Sequence, residues 1–369
     1  MPASRRRTIA RKLMTTNEPR VLGLASALLA VAGCGGQQGV DPPNPSEPVP
    51  MTAVERHGAL SITGGHVVDQ SGQPWSVAGP SFFWGNAGWG DGAPAEPSDY
   101  FNPDVLRYVQ SEWNAAIVRI PMGAETPGGY IEDEDGRWAR IVAAADAAID
   151  EGMYVIVDWH SHHAEDHPEA AVAFFERVAR QYGGIPNLIY EIYNEPLQDT
   201  DWSTVIKPYA ERVIGAIRAI DPDNLIIVGT QSWSQDVDKA ADDPILGFEN
   251  IAYTLHFYAG THGEGLRDKA RYALQLGLPI VVTEWGTVNA TGDGGVDADE
   301  TDRWMTFLAR HQLTHCNWSL HSKQEGASML TSSGLPDAHW DEDSFTESGR
   351  LVREIIRKWH SVDYAGRGE

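Results

Sequence analysis

The sequence predicts an α/β fold closed as a (β/α)8 TIM barrel, with one catalytic-sized domain. Three observations predict it. Short β-branched apolar runs alternate with longer segments whose apolar residues recur at helical spacing, and strict alternation calls for a parallel sheet. Eight such strand runs follow one another. The 369 residues, 42% of them hydrophobic, suit one barrel of ordinary size with extensions.

Basic residues precede an apolar run, Val21-Leu-Gly-Leu-Ala-Ser-Ala-Leu-Leu-Ala-Val-Ala-Gly33. Only about a dozen residues are apolar, too few for a membrane span, so residues 1–33 read as a secretion signal. Val31-Ala-Gly-Cys34 resembles the bacterial lipoprotein cleavage box. That resemblance implies acyl chains on Cys34 and a stable anchor. The chain is then expected outside the cytoplasm, anchored at a membrane by lipid alone or released. Residues 34–56 carry Asp-Pro-Pro-Asn-Pro-Ser-Glu-Pro-Val-Pro, a Pro-rich tether with no means to form a core. The folded domain is expected over 57–369.

Short opening strands are expected over 59–69, and the first barrel strand over 75–83. The remaining strands are expected at 115–120, 154–158, 188–193, 225–228, 251–256, 280–283 and 314–319. Helices are expected at 103–112, 137–151, 168–182, 203–220, 265–277, 299–311 and 345–359. No Gly-x-Gly-x-x-Gly opens a helix, so the open doubly wound sheet with a dinucleotide site is unsupported. No cofactor is implied.

Charge narrows the partners. The formal net charge is -24. Without residues 1–33, 22 basic and 51 acidic residues remain, a net charge near -29. That argues against nucleic acid and suits action on a neutral polymer. Thirteen tryptophans are available for core packing and for stacking on the apolar face of a sugar. Cys316 lies alone in a strand-like run and reads as a buried free thiol. A monomer is the default.

Residues at the C-terminal ends of barrel strands read as catalytic. Strand two is expected to end at Arg119, strand three at Asp158-Trp159-His160, and strand four at Asn194-Glu195. Strand six ends His256-Phe257-Tyr258, strand seven Glu284-Trp285, and strand eight near Trp318. Glu195 and Glu284 stand out. Each follows a buried-strand run, and two carboxyls on one rim are what glycoside hydrolysis requires. Arg119 would hold Glu284 ionised, with Tyr258 donating to it. Glu195 should then be raised by its surroundings and by the Glu284 anion.

The segments Val118-Arg119, Val157-Asp-Trp-His160, Ile189-Tyr-Glu-Ile-Tyr-Asn-Glu-Pro196, Thr254-Leu-His-Phe-Tyr-Ala-Gly-Thr-His-Gly263, Val282-Thr-Glu-Trp-Gly-Thr287 and Asn317-Trp-Ser-Leu320 resemble glycoside hydrolase family 5, close to its endo-β-1,4-glucanases. The resemblance implies a retaining double displacement, with Glu195 as acid/base and Glu284 as nucleophile. It implies that Asn194 bonds the sugar 2-hydroxyl, and that His160 and His256 tune the pair. It further implies substrate contacts from Trp318, Trp84, Trp233, Lys323 and Glu325, and a β-glucan as partner. Two departures touch the glycone side: no His shortly before Trp84, and no aromatic in Pro121-Met-Gly. Mannan, mixed-linkage glucan and xyloglucan stay open as substrates, as does a non-catalytic glycan-binding lipoprotein. His162, His163 and His167 with Asp158, Glu165 and Asp166 read as a solvated loop rather than a metal site.

Overall fold

The computed structural model describes residues 51–86 and 97–366. The expected signal over 1–33, Cys34 and residues 34–50 of the expected tether lie outside the described residues. A short helix α1 (Ala53–His57) precedes an antiparallel hairpin, β1 (Ser61–Thr63) and β2 (His66–Val68). Eight parallel strands then close a barrel: β3 (Ala78–Phe82), β4 (Ile117–Gly123), β5 (Tyr154–His160), β6 (Leu188–Glu191), β7 (Ile226–Val228), β8 (Ile251–Tyr258), β9 (Ile280–Gly286) and β10 (His315–Leu320). The last strand pairs with the first barrel strand, so no edge remains.

Local chemistry sets the ends of the outer helices. In α2 (Pro103–Trp113), Asn102 accepts from the Val105 N–H and Pro103 starts the first turn. Its apolar face, Val105, Leu106, Val109 and Trp113, is buried at helical spacing. Asp133 caps α3 (Glu134–Asp150), and Pro168 opens α4 (Pro168–Tyr182). Next comes α5 (Lys207–Arg218), entered through a π-turn at Trp202–Ile206. After β7, where the sequence pattern predicts no helix, no long helix forms. Two short pieces stand there, α6 (Gln231–Ser234) and α7 (Val237–Asp242). Ser232 and Trp233 have left-handed dihedrals, φ 61° and 57°, which no α-helix can propagate. The outer ring is completed by α8 (Glu264–Gln275), α9 (Ala298–Arg310) and α10 (Glu347–Lys358).

Inside the barrel, residues of one parity on each strand form stacked layers. The lowest is apolar: Ile117, Ile156, Ile189, Ile227, Ala252, Val281 and Cys316. The hairpin and Trp75 close that end, and the Tyr154 hydroxyl donates to the Gly58 carbonyl at 2.6 Å. Cys316 is buried and free, as expected. The next layer carries Arg119, Asp158, Glu191, Thr254 and Thr283, all wholly buried.

Strand β9 breaks the alternation. Thr254 pairs with Val281 and His256 with Glu284, so two residues on β8 span three on β9. The β10 side shows the same shift. This bulge lets Thr283 and Glu284, neighbours in sequence, both face the interior.

Candidate active site

Arg119 lies in the middle of β4, not at its end as the sequence suggested, because β4 runs on to Gly123. One residue of the same parity further along each neighbouring strand would reach the rim; Arg119 stays below it. Its Nε donates to Glu191 Oε2 at 2.7 Å and its Nη2 to Glu191 Oε1 at 3.2 Å. The same Nη2 reaches Asp158 Oδ2 at 2.9 Å and Asn194 Oδ1 at 2.6 Å. Nη1 donates to Glu284 Oε2 at 3.0 Å. One guanidinium thus serves three carboxylates. Its own pKa is raised, because those charges outweigh its burial.

Strand β6 ends at Glu191, shorter than expected, so Asn194 and Glu195 sit in the loop just beyond it. That loop is fixed by the Glu195 N–H donating to the Ser161 carbonyl at 3.2 Å and by Ser234 Oγ donating to the Asn194 carbonyl at 2.7 Å. A carboxylate oxygen of Glu195, one of Glu284 and a ring nitrogen of His256 all lie within 4.8 Å of one another. Tyr258 donates to Glu284 Oε1 at 2.7 Å. Two imidazoles meet Glu195: His256 Nδ1 on Oε1 at 2.9 Å and His162 Nε2 on Oε2 at 3.1 Å.

The electrostatics reverse the expectation. Burial pushes the Glu195 carboxyl up, but bonds from His162 and His256 outweigh it and hold it low, at about 2. Burial and the neighbouring Glu195 charge raise Glu284, against His256, Arg119 and Tyr258. Two physical reasons explain the reversal: Arg119 is shared rather than dedicated to Glu284, and His162, itself raised against its burial by its bond to Glu195, gives that carboxylate a second imidazole partner. Burial lowers His256, yet Glu284, Glu191 and Glu195 raise it to about 9. His160 is driven well below its usual range by burial and by Arg119, so it is neutral.

His160 bonds Asp158 Oδ2 through Nδ1 at 2.8 Å and stacks on Trp318, ring centroids 5.2 Å apart and 5° from parallel. Trp84 meets His160 edge-on at 4.8 Å. Phe83, Tyr258, Val288, Trp318 and Ala327 pack together with Trp84 against them. Lys323 Nζ donates to Glu325 Oε2 at 2.6 Å, and Glu325 also faces His321 Nε2 at 3.4 Å. Beside the Glu195 carboxyl lies a cavity of about 390 Å3. Glu195, Trp233, Gln235, His256, Tyr258, His262, Ala290 and Thr291 line it. Trp233 is 39% exposed there, its backbone tied by its N–H to the Pro196 carbonyl at 2.8 Å. Aromatic rings therefore surround the carboxyl pair, as a surface on which a sugar chain stacks beside a scissile bond requires.

A family profile for "Cellulase (glycosyl hydrolase family 5)" matches residues 68–324, more than half of the chain. The chain belongs to glycosyl hydrolase family 5. This family-5 chain is 52% identical over 284 residues to Endoglucanase Z of Dickeya dadantii, covering 77% of this chain and 63% of that protein. It is 41% identical over 302 residues to an endoglucanase of Clostridium saccharobutylicum, covering 81% and 65%. It thus spans just under two thirds of those relatives' length. Among solved structures, one from Cytophaga hutchinsonii is 44% identical with a TM-score of 0.79, covering 83% of this chain and 97% of that one. The catalytic domain of Thermobifida fusca endoglucanase Cel5A is 31% identical with a TM-score of 0.76, covering 83% and 100%. The barrel is that of the family-5 structures.

Sequence reasoning missed three residues of this family-5 site, Glu191, Thr283 and His162, and named Asp158 at a strand end without giving it a role. Glu191 and Thr283 were hidden inside apolar runs, though Glu191 shares parity with Ile189. The loop after β5 was read as one solvated cluster, and the structure disperses it. His162 faces Glu195, Asp158 faces Arg119, and Glu165 accepts from Tyr193.

Proposed function

We propose that the chain is a retaining endo-β-1,4-glucanase, cutting internal bonds of cellulose-type glucans. The observation that carries this reading is the closeness of the Glu195 and Glu284 carboxylates. Retaining glycosidases set the pair about 5–5.5 Å apart, so that one attacks directly; inverting ones leave room for a water. The names of the relatives support a glucan as substrate.

The glucan lies across the barrel mouth, its reacting sugar over Trp318. Glu284 attacks the anomeric carbon while the glycosidic C–O bond breaks. Glu195 delivers its proton to the leaving oxygen. The Arg119 and Tyr258 bonds hold Glu284 in line, and burial excludes bulk water. Asn194, fixed by Arg119, is aimed to bond the 2-hydroxyl of the same sugar. In the second half, Glu195 takes a proton from water. The hydroxide carries the anomeric carbon away from Glu284, and both groups return to their starting states. Trp84, Lys323 and Glu325 contact the sugars on one side, and Trp233 those on the leaving side.

Cys34 is proposed to carry the lipid that holds the domain at a membrane surface through the tether. Among the described residues, no helix is long and apolar enough to cross a membrane. Cys34→Ser would then move the protein from the membrane fraction to the medium.

Reducing-end release from carboxymethyl-cellulose, glucomannan, barley β-glucan and xyloglucan tests the activity. The expected result is release from the cellulose derivative, lost in Glu195→Gln and Glu284→Gln. Release from another glycan alone would reassign the substrate. Binding without release from any would establish a binding protein instead.

A further inference from the structure

The hydrogens around Thr283 can be assigned one by one. Its Oγ1 donates to Glu191 Oε1 at 2.7 Å. Glu191 is held ionised by its two-point pairing with Arg119, so that oxygen only accepts. A hydroxyl has one hydrogen and two lone pairs. With the hydrogen engaged by Glu191, Thr283 Oγ1 can only accept from its other two neighbours. One is Thr254 Oγ1, and the other is His256 Nε2 at 2.9 Å. Nε2 therefore carries a hydrogen. The other ring nitrogen, Nδ1, faces Glu195 Oε1 at 2.9 Å.

We propose that Thr283, backed by Glu191, is a positioning residue for acid catalysis: it fixes the Nε2–H form of His256, leaving Nδ1 as the nitrogen that exchanges a proton with Glu195. The inference rests on the glycosidase reading above. The step balances within the pair. The proton moves from Glu195 Oε1 to His256 Nδ1, giving carboxylate and imidazolium, and returns by the same path. The Nε2 and Thr283 hydrogens stay in place. Neither Thr283 nor Thr254 touches substrate, since both are wholly buried below the cleft floor.

The ionisable groups facing His256 are Glu191 from β6, Glu195 from the loop after it, and Glu284 from β9. The charges of Asp158 on β5 also interact with it, as does neighbouring His160. His162 bonds the far oxygen of Glu195. In this surrounding of carboxylates an imidazole released from Thr283 would turn its single neutral-form hydrogen to Nδ1. It would then donate to Glu195 a hydrogen that it cannot hand over without becoming an imidazolate, whereas the Nε2–H form takes up and returns the Nδ1 proton freely.

Thr283→Val removes the acceptor and keeps the shape; Thr283→Ser keeps the hydroxyl. Two substrates separate the roles. Carboxymethyl-cellulose has a poor leaving group that needs the Glu195 proton, whereas 2,4-dinitrophenyl cellobioside needs none for the first step. For Thr283→Val the expected kcat/KM on carboxymethyl-cellulose falls by roughly tenfold or more, with KM little changed. The basic limb of its pH profile moves to lower pH. On the dinitrophenyl substrate kcat/KM stays within about twofold, and Thr283→Ser restores the profile. Equal losses on both substrates without rescue by Ser would overturn the inference as a mere folding effect. An unshifted profile in active Thr283→Val would overturn it while leaving the glycosidase reading intact. A wild type inert on both substrates would sink that reading and this inference with it. Imidazole 15N spectra of wild type provide a check free of variants. Nε2 should stay protonated across the titration while Nδ1 changes, and an Nδ1–H neutral form overturns the assignment.

Discussion

Arg119 and Glu191 form a two-point ion pair entirely inside the barrel, with both side chains at 0% exposure. The pair is a scaffold for the rim above it, because the same guanidinium also holds Glu284 and Asn194. Breaking a buried pair by removing one partner leaves an uncompensated charge. Arg119→Met is therefore expected to cost roughly 3–5 kcal/mol of stability, since Asp158, Glu191 and Glu284 would all lose their cation. Urea unfolding at neutral pH measures this. Arg119→Lys should recover part of the stability and little of the activity, since an ammonium cannot span Glu191, Asn194 and Glu284 together.

His162 holds Glu195 low through its bond to Oε2. In His162→Gln that imidazole is gone, so the acid form of Glu195 persists to higher pH. The basic limb of kcat/KM on carboxymethyl-cellulose should move upward, opposite in direction to Thr283→Val. The two variants measured side by side over pH 4 to about 10 provide the check.

His256 is raised from 6.5 to about 9 in the folded chain. A raised folded pKa means that the folded state binds the proton more tightly than the unfolded one. The resulting stabilisation is fully present below pH 6.5 and is lost as pH rises through about 9. The stability gap between wild type and His256→Gln should therefore narrow over that window. Thermal melts at pH 6 and about 9.5 would show it, and a constant gap would contradict it.

Cys316 faces the apolar layer at the closed end of the barrel, and burial pushes its thiol far up. A thiol that is neither exposed nor ionised does not react. Ellman's reagent should label the native domain only as fast as it unfolds, and fully in denaturant. Rapid labelling of native protein would contradict the packing described here.

Much of this architecture is legible from periodicity. The long helices carry apolar spacing over three or more turns, and most of the barrel strands are compact β-branched runs, so their placement needs no tertiary information. The stretch between β7 and β8 is not legible, because Ser232, Trp233 and Ser234 adopt left-handed backbone and interrupt any helical period. The two glutamates were legible as strand-end carboxyls. Their proton balance was not, for it depends on how one arginine is divided among Asp158, Glu191 and Glu284, and on a loop histidine reaching Glu195. Those relationships come from through-space contacts between strands far apart in sequence. Thr283 was unreadable for a different reason: a regular strand cannot send it and Glu284 to the same side.

The inside–outside code of β9 changes phase once. Up to Thr283 the odd-numbered residues point inward; from Glu284 onward the even-numbered ones do. Recombining this barrel with a relative inside that strand therefore has a frame, much as a splice junction does. A join that drops one residue would restore perfect alternation, yet it would turn either Thr283 or Glu284 out among the helices. A more regular strand would be a broken one, and libraries of chimeric barrels should take Val281 through Glu284 from a single parent.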